Sequence, residues 1–82
     1  MFLSVELSMY PFKENYRDLI RSFVDRLNAY EGLRVTTGPT STVIVGDYGI
    51  VMRCLSETME WSHREHGRSV FIAKLIPDYD AK

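Results

Sequence analysis

An α+β fold, with two helices laid on one face of a four-stranded antiparallel sheet, is predicted by three features of this sequence. Apolar residues alternate along its first positions, two later stretches repeat them at helical spacing, and the β-branched segments between are bounded by Gly and Pro. The chain has 82 residues, 45% of them hydrophobic, which suits one domain over 1–82 with one core. A domain of this size buries only about 60% of the surface its unfolded chain exposes, so a partner subunit is a natural source of further burial.

From Phe2 to Met9, the residues Leu3, Val5, Leu7 and Met9 share one face and Phe2, Ser4, Glu6 and Ser8 the other, the pattern of a half-buried strand. Tyr10-Pro11 is expected to end it, because proline donates nothing to a ladder and restricts the residue before it. Tyr16, Leu19, Ile20, Phe23, Val24 and Leu27 then form a helical stripe opposite Arg17, Asp18, Arg21, Ser22, Asp25 and Arg26. Asn15 with Asp18 resembles an N-terminal capping pair, and Gly32 reads as the stop. Leu33 to Thr37 is a short strand, Gly38-Pro39-Thr40 a turn, and Ser41 to Val45 a returning strand rich in β-branched residues. Asp47 is placed to cap a second helix with the stripe Tyr48, Val51, Met52, Leu55 and Met59. Gly49 weakens its first turn, and His66-Gly67 ends it. Val70 to Ile76 is the last strand.

The order βαββαβ in so short a chain predicts a ferredoxin-like sandwich with strand order 4-1-3-2. The helix-free face then carries Phe2, Ser4, Glu6 and Ser8 beside Val70, Ile72, Lys74 and Ile76. On the third strand either Val43 and Val45 or Thr42 and Ile44 join them, and alternation fits both. Phe2, Val70, Ile72 and Ile76 are together too apolar to leave in water, so a homo-oligomer built at least partly through this face is expected.

Ten Lys+Arg against eleven Asp+Glu leave a net charge of -1, which lacks the cationic excess of a nucleic-acid binder. The third strand also lacks the aromatics on which an RNA-binding sheet stacks bases. No uncharged run is long enough for a membrane span, and Glu6 interrupts the N-terminal apolar stretch against a signal peptide. The single cysteine, Cys54, fits a reducing cytoplasm. No base accompanies Cys54, no serine sits in a Gly-x-Ser-x-Gly elbow, and there is no phosphate-binding loop, so neither catalysis nor a cofactor is expected. His63 and His66, one turn after Glu60, have a spacing that could share a metal, but without a distant ligand they read as a charged last helical turn.

Glu6 is the informative polar position. A carboxylate in mid-strand either pairs with Lys74 on the neighbouring strand or accepts hydrogen bonds from a small ligand. Tyr10 and Tyr48 stand at the ends of elements, where a phenol can stack on a ligand or pack at the rim.

Ser-Val-Glu-Leu-Ser-Met-Tyr-Pro (4–11) resembles the N-terminal strand of the thiamine-binding, YkoF-like family of small ferredoxin-like proteins. Gly-Pro-Thr-Ser-Thr (38–42) looks like that family's second-to-third strand turn, and Gly-Asp-Tyr (46–48) with Val51-Met52 like the start of its second helix. Ser-Val-Phe-Ile-Ala-Lys-Leu (69–75) is similar to its last strand, so the resemblance runs in order through nearly the whole chain. It implies a dimer or tetramer that binds thiamine or its hydroxymethylpyrimidine part without catalysis. By matching positions it carries over Glu6, Ser8, Tyr10, Ser41, Thr42 and Tyr48 as ligand-binding candidates. Two departures stand out: Gly49-Ile50 replaces acidic residues of the relatives, and no helical tail follows the last strand, which bears on the mode of assembly. An aminopyrimidine suits such a site, with Glu6 accepting from the exocyclic amine, Ser8 or Thr42 donating to a ring nitrogen and a tyrosine stacking. The alternative is a structural or regulatory assembly module in which subunit contacts consume the open face and bury a Glu6–Lys74 pair.

Overall fold

The computed structural model describes residues 1–81. Its elements are β1 (Phe2–Pro11), α1 (Tyr16–Asn28), β2 (Arg34–Thr37), β3 (Thr42–Asp47), α2 (Tyr48–His66) and β4 (Ser69–Pro77). The strands form one antiparallel sheet in the order β2-β3-β1-β4, the expected order read from the other edge. This is the ferredoxin-like α+β fold. Among the described residues no helix is long and apolar enough to cross a membrane.

β1 is the axis of the core. Leu3, Val5, Leu7 and Met9 are all buried against Ile44, Phe23 and Leu27 and against Val51, Cys54 and Leu55 of α2. The strand outruns its expected end, because Tyr10 and Pro11 still pair with Val70 and Ser69 of β4. Proline is tolerated there since the ladder to β3 has already stopped at Leu7–Thr42, leaving one side without a strand to serve. The register also settles β3: Thr42 and Ile44 face the helices opposite Leu7 and Val5, and Val43 and Val45 lie opposite Glu6 and Ser4 on the other face.

Both helices differ from their sequence reading in detail. Asn15 occupies the cap position of α1, but its side chain caps nothing and only its carbonyl serves, accepting from the N–H groups of Asp18 and Leu19 at 3.1 and 3.3 Å. α1 stops at Asn28, and Gly32, at φ 81°, serves the turn into β2. In α2 the cap is as expected, with the Asp47 carboxylate accepting from the Gly49 N–H at 3.1 Å. Its buried face is Val51, Cys54, Leu55, Thr58 and Ser62, whereas Tyr48, Met52 and Met59, expected inside, are exposed. The Thr58 hydroxyl donates to the Cys54 carbonyl at 2.7 Å, which removes most of the cost of burying it. A pattern that ranks methionine above threonine misplaces this face.

The helix-free face is partly covered by the chain itself. Beyond β4 the backbone reverses at Asp78, at φ 59°, and its N–H donates to the Phe2 carbonyl at 2.7 Å. The Ser4 hydroxyl donates to the Tyr79 carbonyl at 2.6 Å and accepts from the Ala81 N–H at 2.8 Å. Arg34 of β2 binds the Asp80 carboxylate and the Ala81 carbonyl. Ser4 and Val45 are buried as a result, while Phe2, Val70, Ile72 and Ile76 stay exposed.

The junction of β3 and α2 leaves no room at Gly46. A Cβ there would stand 2.5 Å from Leu33 Cδ2 and 3.0 Å from the Gly32 carbonyl oxygen, and the carbonyl cannot step aside. Gly46→Ala should therefore lose about 1–3 kcal/mol of stability by overpacking. Gly49→Ala meets only Asp47 Oδ2, at 3.5 Å, and should be neutral or gain up to about 1 kcal/mol from helix propensity. Urea midpoints compare the two, and equal midpoints would contradict this packing.

Candidate ligand-binding site

The site arises where β1 outlasts its neighbour. The β1–β3 ladder ends at Leu7–Thr42, yet β1 continues to Pro11 with a strand partner on the β4 side only. The turn after β2 leans along the free edge, closed by the Gly38 N–H donating to the Ser41 carbonyl at 2.8 Å. The Ser8 hydroxyl ties β1 to that turn, donating to the Thr40 carbonyl at 3.3 Å. α1 forms the opposite wall. Between them runs a groove of three joined hollows, about 640, 320 and 100 Å³, all sharing Ile20 and Pro39. The larger two are of a size that holds small ligands, about 300–1,000 Å³.

The inner hollow reaches the core at Leu7, Phe23 and Leu27 and is rimmed by Ser8, Ser41 and Thr42. The middle one lies among Met9, Tyr10, Tyr16 and Thr40. The outer one opens beside Arg17, Arg21, Asp25 and Thr37. A largely apolar floor with a few hydroxyls has the make-up typical of small-molecule pockets. Asp25 is the one carboxylate among the described lining residues, at the outer rim, and no cysteine or histidine lines the groove.

Of the six residues singled out in the sequence, Ser8, Ser41 and Thr42 meet at the inner hollow and Tyr10 joins them one hollow outward. Glu6 stands on the helix-free face, half-exposed. Its Oε1 lies 3.3 Å from Lys74 Nζ, and its Oε2 accepts from the Ser41 hydroxyl at 3.2 Å. Glu6 thus has the expected lysine partner and is also one hydrogen bond from the groove. Thr42 and Glu6 lie on opposite faces of the sheet and approach one site only because β3 begins there. Tyr48 does not take part: its N–H donates to the Met1 carbonyl at 2.9 Å, at the other end of β1. Phe2 pairs with Asp47 there, and eight residues of strand, about 26 Å, separate that end from Tyr10. Sequence reasoning missed Thr37, Pro39 and Thr40 as lining residues and took Tyr16 and Ile20 for core. The available signal was that α1's apolar stripe is wider than the core it covers.

The strongest titration effects lie elsewhere, where α1 and α2 meet. The Tyr30 hydroxyl donates to Glu57 Oε1 at 2.6 Å, and this bond, with burial, pushes the phenol up to about 12. Burial, and then the Glu57 charge, push the Cys54 thiol up to about 11, so it stays protonated at neutral pH. Among the described residues no three His, Cys, Asp or Glu side chains converge to hold a metal ion.

No protein-family model matches the sequence, and no curated protein does. Solved structures match in fold. A Streptococcus pneumoniae protein superposes with a TM-score of 0.86 at 22% identity, over 96% of this chain and 89% of its own. A Thermotoga maritima protein, provisionally assigned to thiamine biosynthesis or salvage, gives 0.81 at 20% identity over 98% and 85%. A Bacillus cereus domain of unknown function, DUF77, gives 0.69 at 15% identity over 100% and 83%. At these identities the likeness is one of fold.

A thiol held near 11 has little thiolate to offer. At pH 8, native Cys54 should react with a chromogenic disulfide on the order of 100-fold slower than in the urea-unfolded chain. Equal rates would mean that the thiol is neither buried nor shifted.

Proposed function

We propose that this chain is a non-catalytic binding protein for thiamine or its hydroxymethylpyrimidine part, working as a homo-oligomer. The observation that carries the reading is the state of three hydroxyls at the inner hollow. Ser8 and Ser41 have each given their proton away, to the Thr40 carbonyl and to Glu6, so each can act only as an acceptor toward a ligand in the hollow they line. Thr42 brings a third hydroxyl to the same hollow. Two acceptors beside a hydroxyl able to donate match an exocyclic amine beside a ring nitrogen, and Ile20, Pro39 and Tyr10 supply apolar flanks for a flat ring. Glu6 acts in this scheme by orienting Ser41. The resemblance in sequence and the thiamine-related name of the Thermotoga neighbour support the same ligand class.

The groove's lining carries no pair of nucleophile and base, which favours binding without turnover. The exposed row Phe2, Val70, Ile72 and Ile76 favours assembly through the helix-free face, and a lone thiol suits the cytoplasm. The second reading, an assembly module without a ligand, draws on the Glu6–Lys74 pair, which a subunit laid on that face would bury.

Thermal unfolding with and without each compound tests the reading. A ligand at about 100 times its Kd should add about 2.7 kcal/mol to native stability. By calorimetric titration, Ser41→Ala and Thr42→Val should each weaken binding by about 0.5–1.5 kcal/mol, the range for neutral hydrogen bonds, and Glu6→Gln, which keeps an acceptor for the Ser41 hydroxyl, should cost less than either. Tyr48→Ala should leave the affinity unchanged. No stabilisation of the wild type by either compound would give the protein to the second reading.

A further inference from the structure

The outer hollow of the groove carries an uneven charge. Arg17, Arg21 and Asp25 line it, two cations to one carboxylate, in a chain whose net charge is -1. Among the described residues neither arginine is ion-paired; the pairs there belong to Arg34, Arg64 and Lys74. Arg17 rests instead over the ring of Tyr16, its guanidinium carbon 5.8 Å from the centroid. Like charges four residues apart on a helix repel, so Arg17 and Arg21 burden α1 without a return from within the fold. At about 640 Å³ this hollow has room for more than one flat ring. It adjoins the inner hollow through Ile20, Val24, Thr37 and Pro39, which line both. An arm on a ring seated at Ser8, Ser41 and Thr42 thus has a way out along α1 toward the two arginines.

We propose that the group met there is a phosphate ester, so that the groove takes hydroxymethylpyrimidine phosphorylated on its hydroxymethyl arm in preference to the free alcohol or to thiamine. Such a ligand rests on the binding function proposed above and narrows it to one charge class. The arm of hydroxymethylpyrimidine is attached to the ring carbon next to the one that bears the amine. Holding the amine at the Ser8 and Ser41 oxygens therefore also fixes where the arm begins. In thiamine that arm carries the thiazolium, a permanent cation, which two arginines repel. A phosphate monoester brings about -1.5 to -2 charges at neutral pH instead. Its oxygens accept the paired N–H groups of a guanidinium in bidentate bonds, a geometry lysine could not supply. Thr37, which lines both hollows, adds a hydroxyl donor between ring and arginines. Thiamine phosphate shares the anion but sets the thiazolium between it and the pyrimidine, so the ester of the pyrimidine alone is the better fit.

Calorimetric titration with four compounds tests the charge class: hydroxymethylpyrimidine, its phosphate ester, thiamine and thiamine phosphate. The wild type should bind the ester about tenfold more tightly than the alcohol, the low end for a hydrogen bond to a charged group. Added salt should shrink that advantage, because the arginines are exposed. The double variant Arg17→Gln, Arg21→Gln should bring ester and alcohol to similar affinity and bind thiamine more tightly than the wild type, a reversal that misfolding cannot produce. Its thermal midpoint should not fall, since glutamine suits a helix as well as arginine and the repulsion is gone. Thr42→Val should weaken ester and alcohol alike. An ester that binds no tighter than the alcohol, binds less tightly than thiamine phosphate, or keeps its advantage in the double variant would overturn the proposal and leave the binding function standing. So would an ester whose affinity Thr42→Val does not touch while that of the alcohol falls, because its phosphate would be held outside the groove. Binding of none of the four compounds would remove the binding function and the phosphate ester together.

Discussion

β1 runs for ten residues, β4 accompanies it over nine, and β3 over only six. The rest of the molecule is arranged around that mismatch. A strand edge carries N–H and C=O groups that must be met by backbone, side chains or water. From Leu3 to Leu7 both edges of β1 are met by strands, and the buried row beneath them is the centre of the core. Past Leu7 the β3 side is met by a turn and a groove. The turn cannot close over it entirely, because Gly38-Pro39 sets a tight reversal whose own bond, Gly38 N–H to the Ser41 carbonyl, holds it short of α1. A recess at the end of the core follows from strand lengths alone, without a loop devoted to it.

The even-numbered positions of β1 show how a polar row can stand on a central strand. Ser4, Glu6 and Ser8 each have a partner from a different part of the chain: the C-terminal segment, Lys74 with Ser41, and the turn at Thr40. Ser4 can be buried because its hydroxyl both gives and accepts a hydrogen bond. Glu6 stays half in water, where an ion pair adds little to stability. Covered by another subunit, the same pair would become one whose breaking is costly, because removal of either member strands the other. Glu6 therefore touches both the groove, through Ser41, and the helix-free face, through Lys74, so a substitution there is informative only when binding and assembly are measured on the same sample.

The element order and the inward face of β1 were legible because eight residues of strict alternation and a Gly-Pro turn leave few other solutions. The face of α2 was not. Thr58 and Ser62 lie inside, and the local bond that makes Thr58 tolerable, to the Cys54 carbonyl, has no signature in hydropathy. The burial of Ser4 depends on residues more than seventy positions away, Tyr79 and Ala81, which no local pattern connects to it. For the site, the hydroxyls clustered about the 38–42 turn were readable, because polar side chains near a strand end are conspicuous. The walls were not, since Ile20 in a helical stripe looks like core until the sheet beneath it runs out. Tyr48 was grouped with them for want of the register, which places Asp47 opposite Phe2 and so at the wrong end of β1.

The polar row of β1 also bears on which apolar surface the fold leaves open. If the helix-free face were simply a second hydrophobic layer, its central strand would carry the apolar residues. Instead Ser4, Glu6 and Ser8 of β1 are each answered from within the chain, the C-terminal segment lies over Ser4, and Val70, Ile72 and Ile76 of β4 stay exposed on that face. On β4 the helix side is open as well, so covering the helix-free face alone would leave Leu75 and the strand's outer edge in water. A strand added at that edge satisfies the backbone groups and brings side chains to both faces at once.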